Sequence, residues 1–380
     1  MPSLVLKNAY FVLPDRVTTD LDVLIENGRI ADIGSNLTAS KQLDCKGLTI
    51  LPGFIDIHNH GAIGIDVNEA DVAGLYNIGR FLASQGVTSW LPTIVPDRDE
   101  VYQRIIASID ELMSFQEGEP IAKIVGVHYE GIFANKQMCG ALRPEFFRAF
   151  SGNELESLPR LKNGIHLMTL APEIQGGIDL TRKLRQSGWI PLIGHTKADS
   201  KTLDAAFEAG ARHLTHFFNA MTGLHHRELG VVGWGLTKDE VTFDIIADGV
   251  HVAPQILHLA CRTKTPEKVL LISDSVAPTG LGDGTFQLWG GKISVENKRT
   301  KNEQGNIAGS VITMHDAFKN VVSLGFSLVE ASIMASANPA KLLGLQDEIG
   351  AIKIGSKADL IALNKRGERT FTMLDGKIFW

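Results

Sequence analysis

The segment Asp56-Ile57-His58-Asn59-His60 places two imidazoles two residues apart. In an extended chain both project from one face and can hold one metal ion. Four more candidate ligands stand at or just after short apolar runs: Glu130, His195, His216 and Asp274. Imidazole and carboxylate donors without cysteine favour Zn²⁺ or Fe²⁺ over an iron–sulfur centre. Six donors exceed what one tetrahedral ion with an open position needs. They suit two ions bridged by Glu130 and a hydroxide, or one ion with spare ligands. Asp274 is the candidate acid/base, because a carboxylate beside an activated water can take its proton and pass it to a leaving amine. The alternative is that Asp274 is a ligand only.

A second constellation follows. Asn219 stands in Phe218-Asn219-Ala220-Met221, Arg227 in His225-His226-Arg227-Glu228, and His251 in Asp248-Gly249-Val250-His251. A guanidinium fork and an imidazole with backbone amides suit a phosphate. The alternative is a solvated loop with capping residues. Asp97-Arg98-Asp99-Glu100 reads as a helix start, where acids complement the helix dipole. Asp199 reads as an N-cap. Trp90, Trp189, Trp234 and Trp289 read as packing residues.

The elements that must position these residues recur along the chain. Eight apolar strand runs are expected: Gly53–Ile57, Val87–Pro92, Ile121–Val127, Ile165–Leu170, Ile190–Ile193, His213–Phe217, Thr242–Ile246 and Val269–Ile272. Helical patterns separate most of them, such as Asp71–Ser84, Glu100–Ser114, Gly177–Gln186, Lys201–Glu208 and Ala253–Cys261. Thr313–Ser323 and Leu328–Ala337 follow the last strand. This alternation predicts an α/β fold, a (β/α)₈ barrel of the TIM type, whose active site lies at the C-terminal ends of the strands. An open doubly wound sheet is the other reading, but no glycine-rich phosphate loop marks a switch point. The first fifty residues and the last forty read as short strands around the turn signals Asn27-Gly28 and Asp375-Gly376. The expected division is a small β-sandwich domain from 1–52 and 344–380, with a catalytic barrel at 53–343.

Composition sets outer bounds. Of 380 residues, 37 are Lys or Arg and 43 Asp or Glu, giving a net charge of −6. That balance argues against non-specific nucleic-acid binding, which needs a basic surface. No apolar run has the length of a membrane helix, so no membrane partner is expected. The amino terminus lacks a basic region before an apolar stretch, so no secretory signal is expected. Cys45, Cys139 and Cys261 are odd in number and far apart, which fits a reducing, cytoplasmic setting.

With these residues in place the sequence resembles the amidohydrolase superfamily, and within it the N-acetylglucosamine-6-phosphate deacetylase family. The resemblance is carried by Leu51-Pro52-Gly53-Phe54-Ile55-Asp56-Ile57-His58-Asn59-His60-Gly61, His128-Tyr129-Glu130-Gly131 and Gly194-His195-Thr196. It continues through Thr215-His216-Phe217-Phe218-Asn219-Ala220-Met221, Leu224-His225-His226-Arg227-Glu228, Ile246-Ala247-Asp248-Gly249-Val250-His251 and Ala308-Gly309-Ser310. It implies metal-dependent deacetylation of an amino-sugar phosphate, with one or two divalent ions per subunit. Glu130, His195 and His216 match the main metal ligands, and His58 and His60 the second-metal pair. Asp274 matches the acid/base. Asn219, Ala220, Arg227, His251 and Ala308 match substrate-holding positions, with Arg227 reaching a neighbouring subunit's site in a homodimer. Three departures are expected on substrate-facing loops: Ile132 where the family has proline, Leu142 where it has a substrate-touching histidine, and Ser275-Val276 after the acid/base. They leave the N-acetylgalactosamine 6-phosphate epimer or another N-acyl substrate open. A non-catalytic relative is disfavoured, because such proteins lose ligands. No lysine stands at the mouth of the fourth strand, Thr169-Leu170-Ala171-Pro172-Glu173, to be carbamylated as in other branches.

Overall fold

In a computed structural model of the chain, which describes residues 3–379, eight parallel strands form a barrel. They are β1 (Phe54–Asn59), β2 (Val87–Ile94), β3 (Gly126–Phe133), β4 (Ile165–Leu170), β5 (Ile190–Ile193), β6 (His213–Leu214), β7 (Thr242–Ile246) and β8 (Val269–Ile272). Pairing runs in chain order, for example Trp90 with Asp56, Thr93 with His128 and Phe243 with Val269. The ring closes just past the ladder. The Asp274 N–H donates to the His58 carbonyl at 2.9 Å and the His60 N–H to the Ser275 carbonyl at 2.8 Å. A polar strut reinforces this seam: the Ser273 hydroxyl donates to the Asp56 carboxylate at 2.6 Å, and both are buried.

Helices cover the outside. Val72–Ser84 starts at the predicted Asp71, whose carboxylate accepts from the Gly74 N–H. Asp99–Phe115 opens with Asp99 and Glu100 in its first turn, as the charge pattern predicts. Ser200–Ala209 is capped by Asp199 through the Thr202 N–H at 2.8 Å. Leu328–Ser332 passes into a wider π turn at Ile333–Ala337, so the predicted Leu328–Ala337 helix is not uniform. A helix at Gly230–Thr237 lacks a periodic signal because its residues are glycine and apolar on all sides.

Several expected strands have different limits. The first two run on by two residues, to Asn59 and Ile94, and the third spans Gly126–Phe133 rather than Ile121–Val127, with every residue buried. The sixth ends at Leu214 rather than Phe217, because the chain turns into a left-handed conformation at His216 (φ 35°). The antiparallel meander Gly284–Leu288, Gly291–Glu296 and Arg299–Asn302 was not expected.

The two ends of the chain interleave. One sheet runs in the order Arg29–Gly34, Asp22–Glu26, Leu4–Lys7, Lys41–Asp44. A second combines Lys377–Phe379, Arg369–Leu374, Leu360–Leu363, Thr49–Pro52, Tyr10–Val12 and Val17–Thr18. Of the expected terminal segments 1–52 and 344–380, Met1, Pro2 and Trp380 lie outside the described residues. Leu6, Phe11, Val23, Ile25, Ile50, Leu360 and Met373 share one apolar core. Both turn signals form hairpins with two left-handed residues: Asn27 and Gly28 at φ 51° and 79°, Asp375 and Gly376 at 48° and 74°. The two tips pack together so closely that a Cβ on Gly28 would stand 3.0 Å from the Asp375 carbonyl oxygen.

Candidate metal centre and substrate cavity

The barrel brings all six predicted ligands to one point at the C-terminal ends of its strands. His58, His60 and Asp274 form one cluster, and Glu130, His195 and His216 another, with the ligand atoms of each cluster within 4.8 Å of one another. All six are buried. Glu130 spans the two: its Oε1 lies 3.3 Å from His58 Nε2, 3.3 Å from His195 Nε2 and 3.0 Å from His216 Nε2, while its Oε2 lies 3.2 Å from His60 Nε2. Asp274 Oδ1 stands 3.2 Å from His60 Nε2 and 3.4 Å from His58 Nε2.

These residues fit a divalent metal. Ligands at about 2.0–2.1 Å around a tetrahedral ion lie about 3.3 Å apart, and the observed separations match. The imidazole tautomers agree as well. His60 Nδ1 faces the Thr93 carbonyl at 3.2 Å and His195 Nδ1 the Met138 carbonyl at 2.8 Å. A nitrogen facing a carbonyl carries the proton, so Nε2 presents its lone pair to the centre. The electrostatics show the demand for positive charge at the centre. Burial alone would depress the His60 pKa, yet the Asp274 and Glu130 carboxylates that accept from its Nε2 raise it to about 10. His216 is likewise raised, to about 9, against burial and by Glu130. Two buried carboxylates call for positive charge at this point.

Three ligands stand on left-handed backbone: His195 at φ 47°, His216 at 35° and Asp274 at 48°. Such residues cost about 1–3 kcal/mol each and persist only where surroundings hold them. The Asn135 N–H ties the His195 carbonyl at 3.0 Å, and the Ser310 N–H ties that of Asp274 at 2.7 Å. The His216 N–H donates a short bond to Asp244 Oδ1, while Asp244 Oδ2 pairs with His213 Nε2 at 3.0 Å. Asp244 escaped the sequence reading. Its signal was a single acid inside the otherwise apolar β7, Thr242-Phe243-Asp244-Ile245-Ile246. Glu173 escaped it too. Its carboxylate gathers Asn135 at 2.8 Å, the Lys197 N–H at 2.8 Å and the Thr196 hydroxyl at 2.5 Å, bracing the loop that carries His195.

A cavity of about 150 Å³ opens over the centre. Asn219, Ala220 and His251 line it, with His251 Nδ1 fixed by Asp248 at 2.7 Å. Ala141, Leu142, Ile307 and Trp289 add apolar lining. Trp289, read as packing from the sequence, sits at the tip of the meander with its ring edge-on to His60 at 5.3 Å. Its indole also faces Asp66, whose carboxyl burial pushes up to about 7.

Arg227, expected to reach a neighbouring subunit's site, is exposed and lies outside this chain's own cavity, with Nη1 2.6 Å from His226 Nε2. Three expectations need correction. Ala308 is buried with its N–H on the Thr300 hydroxyl, and it lines an adjoining chamber, while its neighbours Ile307 and Gly309 line the cavity. Ile132 is wholly buried in the barrel core and faces no substrate. Ser275 is part of the barrel seam, bonded to Asn59 and Gly61, and Val276 packs under the meander. Of the three departures, only Leu142 reaches the cavity.

The fold and site define a class: a metal-dependent hydrolase on a (β/α)₈ barrel. The amidohydrolase family model matches residues 49–379, and the chain belongs to that family. An N-acetylgalactosamine-6-phosphate deacetylase of Escherichia coli O157:H7 is 35% identical over 347 residues, covering 91% of each chain. The N-acetylglucosamine-6-phosphate deacetylase of Bacillus subtilis is 32% identical over 383 residues, covering 99% of this chain and 97% of that one. A solved Mycobacterium smegmatis N-acetyl-D-glucosamine-6-phosphate deacetylase mutant, in complex with N-acetyl-D-glucosamine-6-phosphate, superposes with a TM-score of 0.90. It is 28% identical, covering 100% of this chain and 99% of that one.

Proposed function

We propose that this chain deacetylates N-acetylglucosamine 6-phosphate, giving glucosamine 6-phosphate and acetate. The observation that carries the reading is the complete six-ligand centre with Asn219, Ala220 and His251 beside it. A divalent ion there supplies Lewis acidity and lowers the pKa of a water. Asp274 holds the position from which a carboxylate takes the water's proton and returns it to the departing amine. Asn219, the backbone at Ala220, and His251 hold the sugar phosphate. Leu142, Ala141, Ile307 and Trp289 exclude water from the acyl side.

The ion is Zn²⁺ or Fe²⁺, and the span of Glu130 across both triads supports two ions per subunit. Arg227, exposed and outside its own cavity, acts on a partner's phosphate in a homodimer. A division into a terminal β domain (1–52 and 344–380) and a barrel (53–343) is supported by the second apolar core that both ends of the chain share. A cytoplasmic setting is supported by Cys45, Cys139 and Cys261, all free thiols. No helix among the described residues is long and apolar enough to cross a membrane. A second reading, the N-acetylgalactosamine 6-phosphate epimer, is favoured by the 35% identity to the enzyme of that name. The test is a deacetylation assay on both epimers, with and without phosphate, beside metal analysis of the same sample. Turnover of the phosphorylated glucosamine derivative that chelation abolishes is expected. Full turnover by metal-free protein, or no preference for phosphate, refutes the reading.

A further inference from the structure

Beside the metal centre a buried acceptor and a buried donor lie together without a completed bond: Oδ2 of Asp66 and Nε1 of Trp289. Asp66 is almost wholly buried, and the indole is close enough to act on its carboxyl as a donor. The other carboxylate oxygen is engaged, accepting from the Asn68 N–H at 2.8 Å. Buried polar groups left unpaired are costly, and here each group is the complement of the other. The two residues come from distant parts of the fold. Asp66 pairs with Gly61 in the small hairpin that follows His60. That hairpin is rigid: the Val67 N–H returns to the His60 carbonyl at 2.8 Å, and the Asn68 side chain exchanges bonds with the Val95 backbone. Trp289 and Gly290 form the turn of the meander, between the paired Leu288 and Gly291. Both turn residues are left-handed, at φ 48° and 80°. Asparagine, aspartate or glycine fills the first place of such a turn at little cost. A bulky residue with positive φ is an outlier that its surroundings must hold. What the strained turn achieves is the place of the ring, edge-on to His60 and in the wall of the cavity over the centre.

We infer that Asp66 is a positioning residue that seats Trp289 over the metal centre, and that the seated indole contributes to substrate affinity. The inference rests on the reading of this cavity as the deacetylase site. A molecule filling the cavity meets the indole, because the ring forms part of its wall. A wall group fixed before binding loses less freedom when the substrate arrives than a loose one does. The carboxylate of Asp66 supplies that fixing: the N–H of the indole donates to Oδ2, and the ring cannot turn away from His60 without leaving both groups buried and unpaired. Neither residue belongs to the two ligand triads. A contact made alike by substrate and transition state lowers KM and leaves kcat unchanged, so the signature of this seat is a change in KM.

The test is a double-mutant cycle on the metal-loaded enzyme with Asp66→Ala, Trp289→Phe and the two combined, assayed on N-acetylglucosamine 6-phosphate. Phenylalanine keeps an aromatic ring in the wall and removes the N–H. Each single variant should raise KM by about tenfold, the scale of a lost hydrogen bond to a charged acceptor, with kcat held within about threefold. The combined variant should match either single one within about twofold, because both changes break the same contact. A combined rise of about a hundredfold, the product expected of independent residues, would overturn the inference. Tryptophan emission gives a second readout. Asp66→Ala should shift it to the red as the indole gains solvent, and the shift should vanish in the Trp289→Phe background. No shift, or one that persists without Trp289, would overturn the seat. Trp289→Phe changes only a hairpin tip, so an unchanged KM there refutes the inference even if Asp66→Ala does not fold. The emission arm needs no turnover. If the unmodified, metal-loaded enzyme leaves the substrate intact, the deacetylase reading falls and the role in affinity with it, while emission still decides whether Asp66 seats Trp289.

Discussion

Asp244 is a residue whose removal should weaken a metal site that it does not touch. It is wholly buried, and its two oxygens do separate work. Oδ1 accepts from the His216 N–H, and Oδ2 holds His213 Nε2 at 3.0 Å. His213 is itself braced by Thr242 at 2.7 Å from its Nδ1. The bond to the His216 N–H fixes a left-handed residue at φ 35°, and only in that conformation does Nε2 reach 3.0 Å from Glu130 and from His195. A hydrogen bond to a charged acceptor contributes about 1.5–3 kcal/mol. Spent on metal-ligand orientation, that corresponds to roughly 10- to 100-fold in metal affinity, the range typical of such supporting residues. Asp244→Asn keeps an acceptor for the His216 N–H and should fall near the lower end. Asp244→Ala removes both contacts, leaves His213 without its carboxylate, and should reach or pass the upper end. The assay is competition with a chromophoric chelator at fixed pH, beside a thermal melt of the metal-loaded protein. Unchanged affinity in Asp244→Ala would refute the argument, because it would show that His216 holds its conformation without this bond.

Asp274→Asn should retain metal at Glu130, His195 and His216 and still lower kcat by about 10²–10⁴; near-normal kcat in a metal-replete sample would assign the proton transfer to another group. Arg227→Ala should reduce kcat/KM for the 6-phosphate by about 10- to 100-fold and barely affect the unphosphorylated sugar; equal losses on both would make Arg227 a loop or subunit contact instead. His166 offers a pH test far from the metal. Burial and the charge of Arg160 hold its pKa down to about 4, its ring stacks on Trp189 at 4.7 Å, and the Leu161 N–H donates to its Nε2. The folded state thus keeps His166 neutral while the unfolded chain protonates near 6.5. Its contribution is complete above pH 6.5 and is lost as pH falls toward 4. After allowance for partial solvent access it amounts to about 2 kcal/mol. In urea melts His166→Gln should show a shallower loss of stability over that window than the unmodified protein, and identical slopes would count against it.

The barrel was legible because each strand is a short apolar run between helical patterns, and its C-terminal end could be counted off. The ligand set was legible for the same reason: residues at strand ends of one barrel must converge, whatever lies between them in sequence. What escaped depends on backbone geometry that no residue pattern announces. β6 was read through Phe217, yet the ladder stops at Leu214 because His216 must leave the extended conformation to aim its ring. Asp244, which enforces this, and Glu173, which braces the His195 loop, act through main-chain N–H groups and side chains of distant segments, and such contacts have no fixed spacing. The meander escaped because its strands are polar and exposed on one side, which reads as a loop until the sheet that orders it is seen. With it went the role of Trp289, since nothing near residue 289 in sequence reveals that the ring will meet His60.

The departures from the family pattern show how a fold can absorb substitutions without passing them to the substrate. Ile132 follows Gly131, whose φ of 77° turns the chain so that the next side chain enters the barrel core. A branched apolar residue is suited to that place. Ser275 serves the seam, its hydroxyl donating to the Gly61 carbonyl at 2.9 Å while the Asn59 amide donates to it at 2.7 Å. Val276 fills the small core under the meander. Each of these answers to packing or hydrogen bonding inside the protein. Leu142 differs in kind. It packs over Gly131, so close that a Cβ there would stand 2.4 Å from its Cδ1, and its other side faces the cavity. A histidine at this position would present a polar edge to the substrate, whereas leucine presents none. Leu142 and Trp289 together thus set the apolar part of the cavity lining, beside a metal centre whose six ligands are all in place.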